Sequence, residues 1–314
     1  MLAATTITPW HWAGFIVCIL IFLALDLGVF HRRAHVVKFR EALMWTAIWF
    51  SVAMAFSGWL GRTRGSESAE MFITGYLLEL SLSMDNVFVI ALIFTYFRVP
   101  SQQQHRVLFW GILGALIMRG VMIAVGAALV SRFNWVLYFF GAFLLFTGVK
   151  MLFAGESGVE PEHNPVLRLA RRLFPVAPEF DGQKFFTHWK GRRALTPLAL
   201  VLLLVETTDL VFALDSIPAI FGVTQDPFIV FTSNVFAILG LRSLYFVLAN
   251  AIDYFRFLKY GLSLVLVYIG VKMLLVKWVH IPTRLSLGIV VGIIVTSILV
   301  SLLLGKREHD RQKP

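Results

Sequence analysis

Apolar runs of about twenty residues recur along the chain, and no other feature narrows its fold so far. Crossing a hydrocarbon core about 30 Å thick takes about twenty helical residues. No water is present there to satisfy backbone amides and carbonyls, so a spanning segment must be a helix or part of a closed barrel. The runs here are continuous rather than alternating, which excludes a barrel. Nine spans are expected, near residues 10–30, 41–60, 70–97, 107–130, 135–154, 197–221, 227–250, 257–277 and 283–305. The expected fold class is an all-α polytopic membrane protein, with residues 1–314 forming one transmembrane domain. Composition agrees. Of all residues 58% are hydrophobic and 15% charged, against about 25% charged in soluble domains.

Charge placement gives an orientation. No Lys or Arg precedes the first run, whereas "HRRAHVVKFR" follows it, so it reads as a span and not as a cleavable signal. With the N-terminus outside and the C-terminus in the cytoplasm, 20 of the 28 Lys and Arg fall in cytoplasmic segments and six outside. Arg119 and Arg242 lie within spans. This is the positive-inside pattern. It accounts for the net charge of +10, so the bilayer is the expected partner and nucleic acid is not. Cys18 is the single cysteine; it cannot form an internal disulfide and is expected to pack within its span. His31, His35, His105 and His280 fall at span ends, where solvent contact is expected, and Lys150 and Lys272 are expected at the membrane interface. No phosphate loop of the right spacing, serine elbow or H-E-x-x-H helix occurs, so neither enzymatic activity nor a bound cofactor is expected.

Against this apolar background, "YLLELSLSMDNVFVIALIF" (76–94) carries Glu79, Asp85 and Asn86, and "VETTDLVFALDSIPAIF" (205–221) carries Glu206, Asp209, Asp215 and Ser216. One charged side chain at mid-bilayer costs about 2.5–3.5 kcal/mol on insertion scales, and such residues by default mark ion pathways. In both stretches two acids stand six residues apart, and a polar residue follows the second. Further parallels keep the same order: "WGILGALIMRG" with "SNVFAILGLRS", aligning Arg119 with Arg242, and "GVKM" at 148–151 with "GVKM" at 270–273. Two units, 70–154 and 197–278, are therefore expected, joined by a linker at 155–196 and followed by a last span at 283–305. Each unit has three spans. An odd number inserts the second unit upside down, as in many secondary transporters that bind substrate at the repeat interface.

On an ideal helix Glu79, Ser83 and Asn86 share one face, and so do Glu206, Asp209 and Ser216; Asp85 and Asp215 are offset. Two such helices crossing near a two-fold axis would bring the aspartates to a common centre. Pro218 withholds an amide from the Leu214 carbonyl, so a kink with a free carbonyl is expected there. Carboxylate, amide, hydroxyl and carbonyl oxygens suit Mg²⁺, Ca²⁺ or Mn²⁺. The alternative is structural: the acids pair with Arg119 and Arg242 and only hold helices together. Asp26, near the inner end of the first span, reads equally as a snorkelling or a pathway residue. In the linker, "VLRLARRLF" reads either as a short amphipathic helix on the membrane surface or as a solvated loop.

The motifs "SLSMDNVFV" and "ETTDLVFALDSIPAIF", together with "GAFLLFTGVKM", resemble the TerC family of bacterial integral membrane proteins over nearly the whole chain. The resemblance implies a multi-pass protein of the inner membrane. It also implies a link to tellurite resistance and to export of manganese or calcium. Matched by motif, it points to Asp85, Asn86, Asp209, Asp215 and Ser216 as metal ligands. Glu79 and Glu206 match less strictly. The expectation is a secondary transporter that exports a divalent cation, Mn²⁺ first among them, by alternating access with Arg119, Arg242, Glu206 and Asp26 in charge compensation. The alternative is a membrane scaffold whose intramembrane acids are structural.

Overall fold

The computed structural model describes residues 8–28, 39–133, 135–153, 164–248, 258–279 and 281–311. Its elements are α1 (Pro9–Gly28), α2 (Phe39–Arg64), α3 (Ser66–Tyr96), α4 (Ser101–Arg132), α5 (Trp135–Phe153), α6 (Pro165–Leu173), β1 (Phe186–Trp189), β2 (Arg192–Leu195), α7 (Pro197–Phe221), α8 (Pro227–Leu248), α9 (Leu258–Leu274) and α10 (Thr283–Arg311). A helix stands at each of the nine expected spans. Seven, namely α2 to α5, α7, α8 and α10, are long and apolar enough to cross a membrane; α1 is a shorter apolar helix and α9 has 17 residues. The fold is an all-α polytopic membrane protein. Asp26 falls in the last turn of α1, and its side chain lies outside the described residues, as do His31, His35 and His280.

Local chemistry sets the helix boundaries. Gly65, at φ +93°, separates α2 from α3 in a backbone conformation that side chains disfavour. The Thr196 side chain caps α7 by accepting from the Ala199 amide, with Pro197 next in line. The Asp226 carboxylate accepts from the Phe228 and Ile229 amides ahead of α8. Proline at the first helical position after an oxygen-bearing cap is the favoured way to begin a helix. Pro218 lies inside α7, which continues to Phe221.

Helices α3, α7 and α8 form the centre. Nearly all of α8 is buried, against α2, α3 and α4. Phe15, Phe56, Phe72, Phe228 and Phe236 interlock with ring centroids 5.0–6.3 Å apart and tie α1 and α2 to this centre. Helix α5 lies along α9 at backbone contact. A Cβ at Gly148 would stand 2.9 Å from the Ser263 carbonyl, and one at Gly270 would stand 2.8 Å from the Gly141 carbonyl. Small residues at such crossings are how helices gain packing where lipid is as apolar as the side chains. Ile117, Val121, Phe139 and Phe146 point outward, as lipid-facing residues do. Cys18 is also exposed, so it does not pack as expected.

The linker is described from residue 164. Asn164 accepts from the amides of Val166 and Leu167 and so starts α6. The antiparallel hairpin β1–β2 follows, with Phe186 opposite Leu195. Leu167, Ala170 and Leu195 join a core with Leu198 and Val201 of α7 and Phe94 of α3. A strand pair was not expected from the basic, proline-rich linker. Its four-residue strands, FTHW and RRAL, carry too little alternation to stand out.

Candidate functional site

Glu79, Ser83 and Asn86 line one face of α3, and all three are at most 2% exposed. Opposite them α7 presents Asp209 and Ser216, also buried. Arg119 enters from the middle of α4 and is itself 2% exposed. Its guanidinium closes on Asp209 as a two-pronged fork: Nε donates to Oδ2 at 3.1 Å and Nη2 to Oδ1 at 2.8 Å. The remaining nitrogen, Nη1, forms an ion pair with Glu79. Asn86 donates from Nδ2 to Asp209 Oδ1 at 2.5 Å. One arginine thus joins α3, α4 and α7 through two carboxylates. Arginine suits this role because its planar fork matches a carboxylate and it stays charged when buried.

Two carboxylates, Glu79 and Asp209, share the one guanidinium of Arg119. Glu206, one turn before Asp209 on α7, acts on it as a like charge. Its carboxylate lies so close to Gly114 of α4 that any Cβ there would collide with it. Acceptor capacity is also left over. The hydroxyl oxygens of Ser83 and Ser216 and the amide oxygen of Asn86 are buried, with no hydrogen-bond partner among the described residues. Native structures rarely leave such atoms unused without reason. Unsatisfied oxygens on the helix faces that carry these two buried carboxylates can accept a hard cation or a proton.

The offset aspartates do not join this cluster. Asp85 is half-buried on α3 and faces the charge of Lys259 at the start of α9. Asp215 faces Thr147 and Lys150 of α5. Each lies about 120° around its helix from the acid six residues before it, so it points away from the shared face. The structure therefore brings Glu79, Asn86 and Asp209 together and holds Asp85 and Asp215 toward separate lysines. Among the described residues no three His, Cys, Asp or Glu side chains gather with metal-ligand geometry.

Arg242 does not repeat the part of Arg119. It lines a cavity of about 30 Å³ with Glu41, Trp45, His105, Ser243 and Phe246. His105 is five residues into α4, so Arg242 sits about 21 Å of helix away from the level of Arg119. His105 is 9% exposed and its ring centroid lies 4.7 Å from that of Phe246. It is buried rather than solvated, because α8 and α2 close over the end of α4.

Three contributors escaped the sequence reading. Lys259 and Lys150 looked like topogenic or interfacial charge, yet they are the groups nearest in charge to Asp85 and Asp215. Gly114 gave no signal at all; only a Glu three residues before an Asp on another span hints that some partner must supply room.

The helix count, the lipid-facing apolar surface and the buried charges define a polytopic membrane protein with an intramembrane polar site. A family model described as "Integral membrane protein TerC family" matches residues 64–312. The chain belongs to the TerC family. An uncharacterized membrane protein of Myxococcus xanthus is 54% identical over 94% of this chain and 93% of its own length. Proteins named "Putative membrane-bound redox modulator Alx" from Escherichia coli and Shigella flexneri are 47% identical over 98% of both chains. No solved structure matches the chain.

Proposed function

We propose that this chain is a secondary transporter of the bacterial inner membrane that exports a divalent cation, Mn²⁺ in the first instance, in exchange for protons. The observation that carries the reading is the buried cluster of Arg119, Glu79 and Asp209, with unspent oxygens of Ser83 and Asn86 on the same face of α3 and of Ser216 two turns beyond Asp209 on α7. Arg119 is the resident counter-charge of the empty carrier. A divalent cation arriving at Glu79 and Asp209 takes over its role and releases it; protonation of either carboxylate loosens the same pair without a metal. Glu206 adds negative potential one turn away. Mn²⁺ is preferred over softer metals because the available donors are oxygens.

The inverted repeat belongs to this proposal. It is supported by the packing of α3 with α7, α4 with α8 and α5 with α9, and by α3 meeting α8 as α4 meets α7. In such an arrangement α3 and α7 run in opposite directions. Asp85, under the charge of Lys259, and Asp215, near Thr147 and Lys150, are further carboxylates that a cation meets on its way to or from the cluster. The orientation with the N-terminus outside follows from the Lys and Arg distribution.

The test is Mn²⁺ uptake into inside-out proteoliposomes under a proton gradient. Asp209→Asn should slow flux by at least about tenfold, the scale on which loss of even an outer-shell partner lowers metal affinity. Asp85→Asn and Asp215→Asn should slow it too. Folded variants that carry Mn²⁺ at the wild-type rate would place the path elsewhere. The second reading is a static tie of three helices within a scaffold. It is favoured by the fact that Arg119 and Asn86 already occupy both oxygens of Asp209. That reading predicts no saturable flux in the wild type.

A further inference from the structure

Helix α6 is amphipathic in an unusual way, because its apolar side is split between two surroundings. Leu167 and Ala170 are buried against the start of α7. Val166, Leu169 and Leu173, spaced three and four residues apart on the adjoining face, are exposed at 37%, 55% and 63%. Arg168, Arg171 and Arg172 occupy the remaining arc. Beside α6 lies a groove of about 460 Å³ lined by Phe174, Phe186, Thr187, His188, Arg193 and Ala194. Phe186 is 65% exposed and Phe174 49%.

We propose that α6 and the β1–β2 hairpin form a binding site for anionic phospholipid in the leaflet they face, with the Leu169–Leu173 strip in the acyl boundary and the arginines at the phosphates. Position argues for lipid first. The core that α6 joins includes Leu198, Ala199, Leu200 and Val201, the first turns of α7. Since α7 has 25 residues, about five more than a hydrocarbon core requires, its first turns lie at headgroup depth, and α6 lies with them. Charge argues for anionic lipid. Residues 164–196 hold seven Lys or Arg against Glu179 and Asp181, and each basic residue near an anionic leaflet adds attraction. The groove brings the Arg193 cation together with the rings of Phe174 and Phe186, a pairing that suits a phosphate beside acyl chain. Two other occupants are conceivable on the same grounds: the acidic stretch 156–162 of this chain, with three glutamates, and a second copy of the chain.

The chain's single cysteine makes the test direct. In a Cys18→Ser background, Leu173→Cys carries a nitroxide, and the full-length protein is placed in phosphatidylcholine vesicles with or without one quarter phosphatidylglycerol. The expected result is a label reached by oxygen and shielded from a water-soluble nickel chelate in the phosphatidylglycerol vesicles, with shielding reduced in pure phosphatidylcholine. Replacing Arg172 or Arg193 by Gln should lower the shielded population about fivefold per residue, the weight of one basic group at such a surface, and salt should lower it further. Equal chelate access in both vesicles overturns the proposal. So does equal shielding in both vesicles and in lipid-free detergent, which would identify the acidic stretch or a second copy as the cover. These readouts do not involve metal flux, so the lipid site stands or falls separately from transport.

Discussion

Arg119 and Arg242 stand at matching places in two similar stretches of sequence, and the structure uses them differently. Arg119 is held mid-helix by two carboxylates from two other helices. Arg242 lies near the end of α8, beside Glu41 and His105 and a cavity large enough for a water molecule. Depth sets the difference. Toward the bundle end, water and long side chains share the work of solvating a cation. In the middle only fixed partners can do so, and each must then be satisfied in turn. A buried arginine there constrains three helices; toward the end, water can share the work.

The sharpest way to break this comparison is to remove each cation. Arg119→Gln leaves Glu79 and Asp209 buried without compensation. It should cost about 3–5 kcal/mol, the range for one partner lost from a buried ion pair. Arg242→Gln should cost about 1 kcal/mol, closer to one ordinary hydrogen bond. Thermal unfolding of the purified protein in detergent measures both. Equal losses would mean that depth does not separate the two sites.

Coupling should follow the same order. Arg119→Gln and Asp209→Asn combined should be less harmful than the sum of the single changes, because removing both charges leaves less to desolvate. The interaction energy should fall in the upper part of the range of about 0.5–3 kcal/mol seen for residues in one network. For Arg242→Gln with Glu41→Gln it should fall near the bottom. Additivity at Arg119 and Asp209 would contradict the fork geometry.

Two glycines sharpen the contrast further. Gly114→Ala places a methyl into the Glu206 carboxylate, and overpacking of this kind costs about 1–3 kcal/mol. At Gly240, two residues before Arg242, a Cβ meets only the Trp49 Cβ at 3.8 Å. Gly240→Ala should therefore stabilise, by up to about 1 kcal/mol from helix propensity. Opposite signs in the two melting shifts are the expected outcome.

Legibility in the sequence followed the same division. The spans were legible because a run of apolar residues at membrane length has few other uses. The shared face of Glu79, Ser83 and Asn86 was legible because helical spacing fixes it before any packing occurs. Which acid would meet which cation was not. Asp85 and Asp215 were expected beside Asp209, but turned about 120° around their helices they face Lys259 and Lys150. Interhelical pairing depends on tilt and on contacts such as Gly148 against Ser263, and neither is written in one segment's periodicity. Pro218 withholds one amide, yet α7 runs on through the buried Ile217, Pro218 and Ala219 to Phe221.

The smallest effect belongs to a carboxylate that has water beside it. Asp181, in the linker before β1, accepts from the Thr187 hydroxyl at 2.8 Å and pairs with Lys184 at 3.2 Å. The Thr187 hydrogen bond, ahead of Lys184, holds its carboxyl below the usual carboxylate range. A folded-state pKa below the unfolded one gives stability that is present above about pH 4, the ordinary aspartate value, and is lost as pH falls through the depressed one. Thr187→Val should therefore leave amide exchange in the 186–195 hairpin slightly faster at neutral pH and nearly unchanged well below pH 4, where the anchor is already protonated. Asp209 should behave otherwise, because its partners are buried with it: Asp209→Asn should alter unfolding of the whole bundle, whereas the change at Thr187 stays within the hairpin. If Thr187→Val lowered the global melting temperature as much as Asp209→Asn, the linker would be a structural part of the bundle, and the separation drawn here between a solvated pair and a buried one would fail.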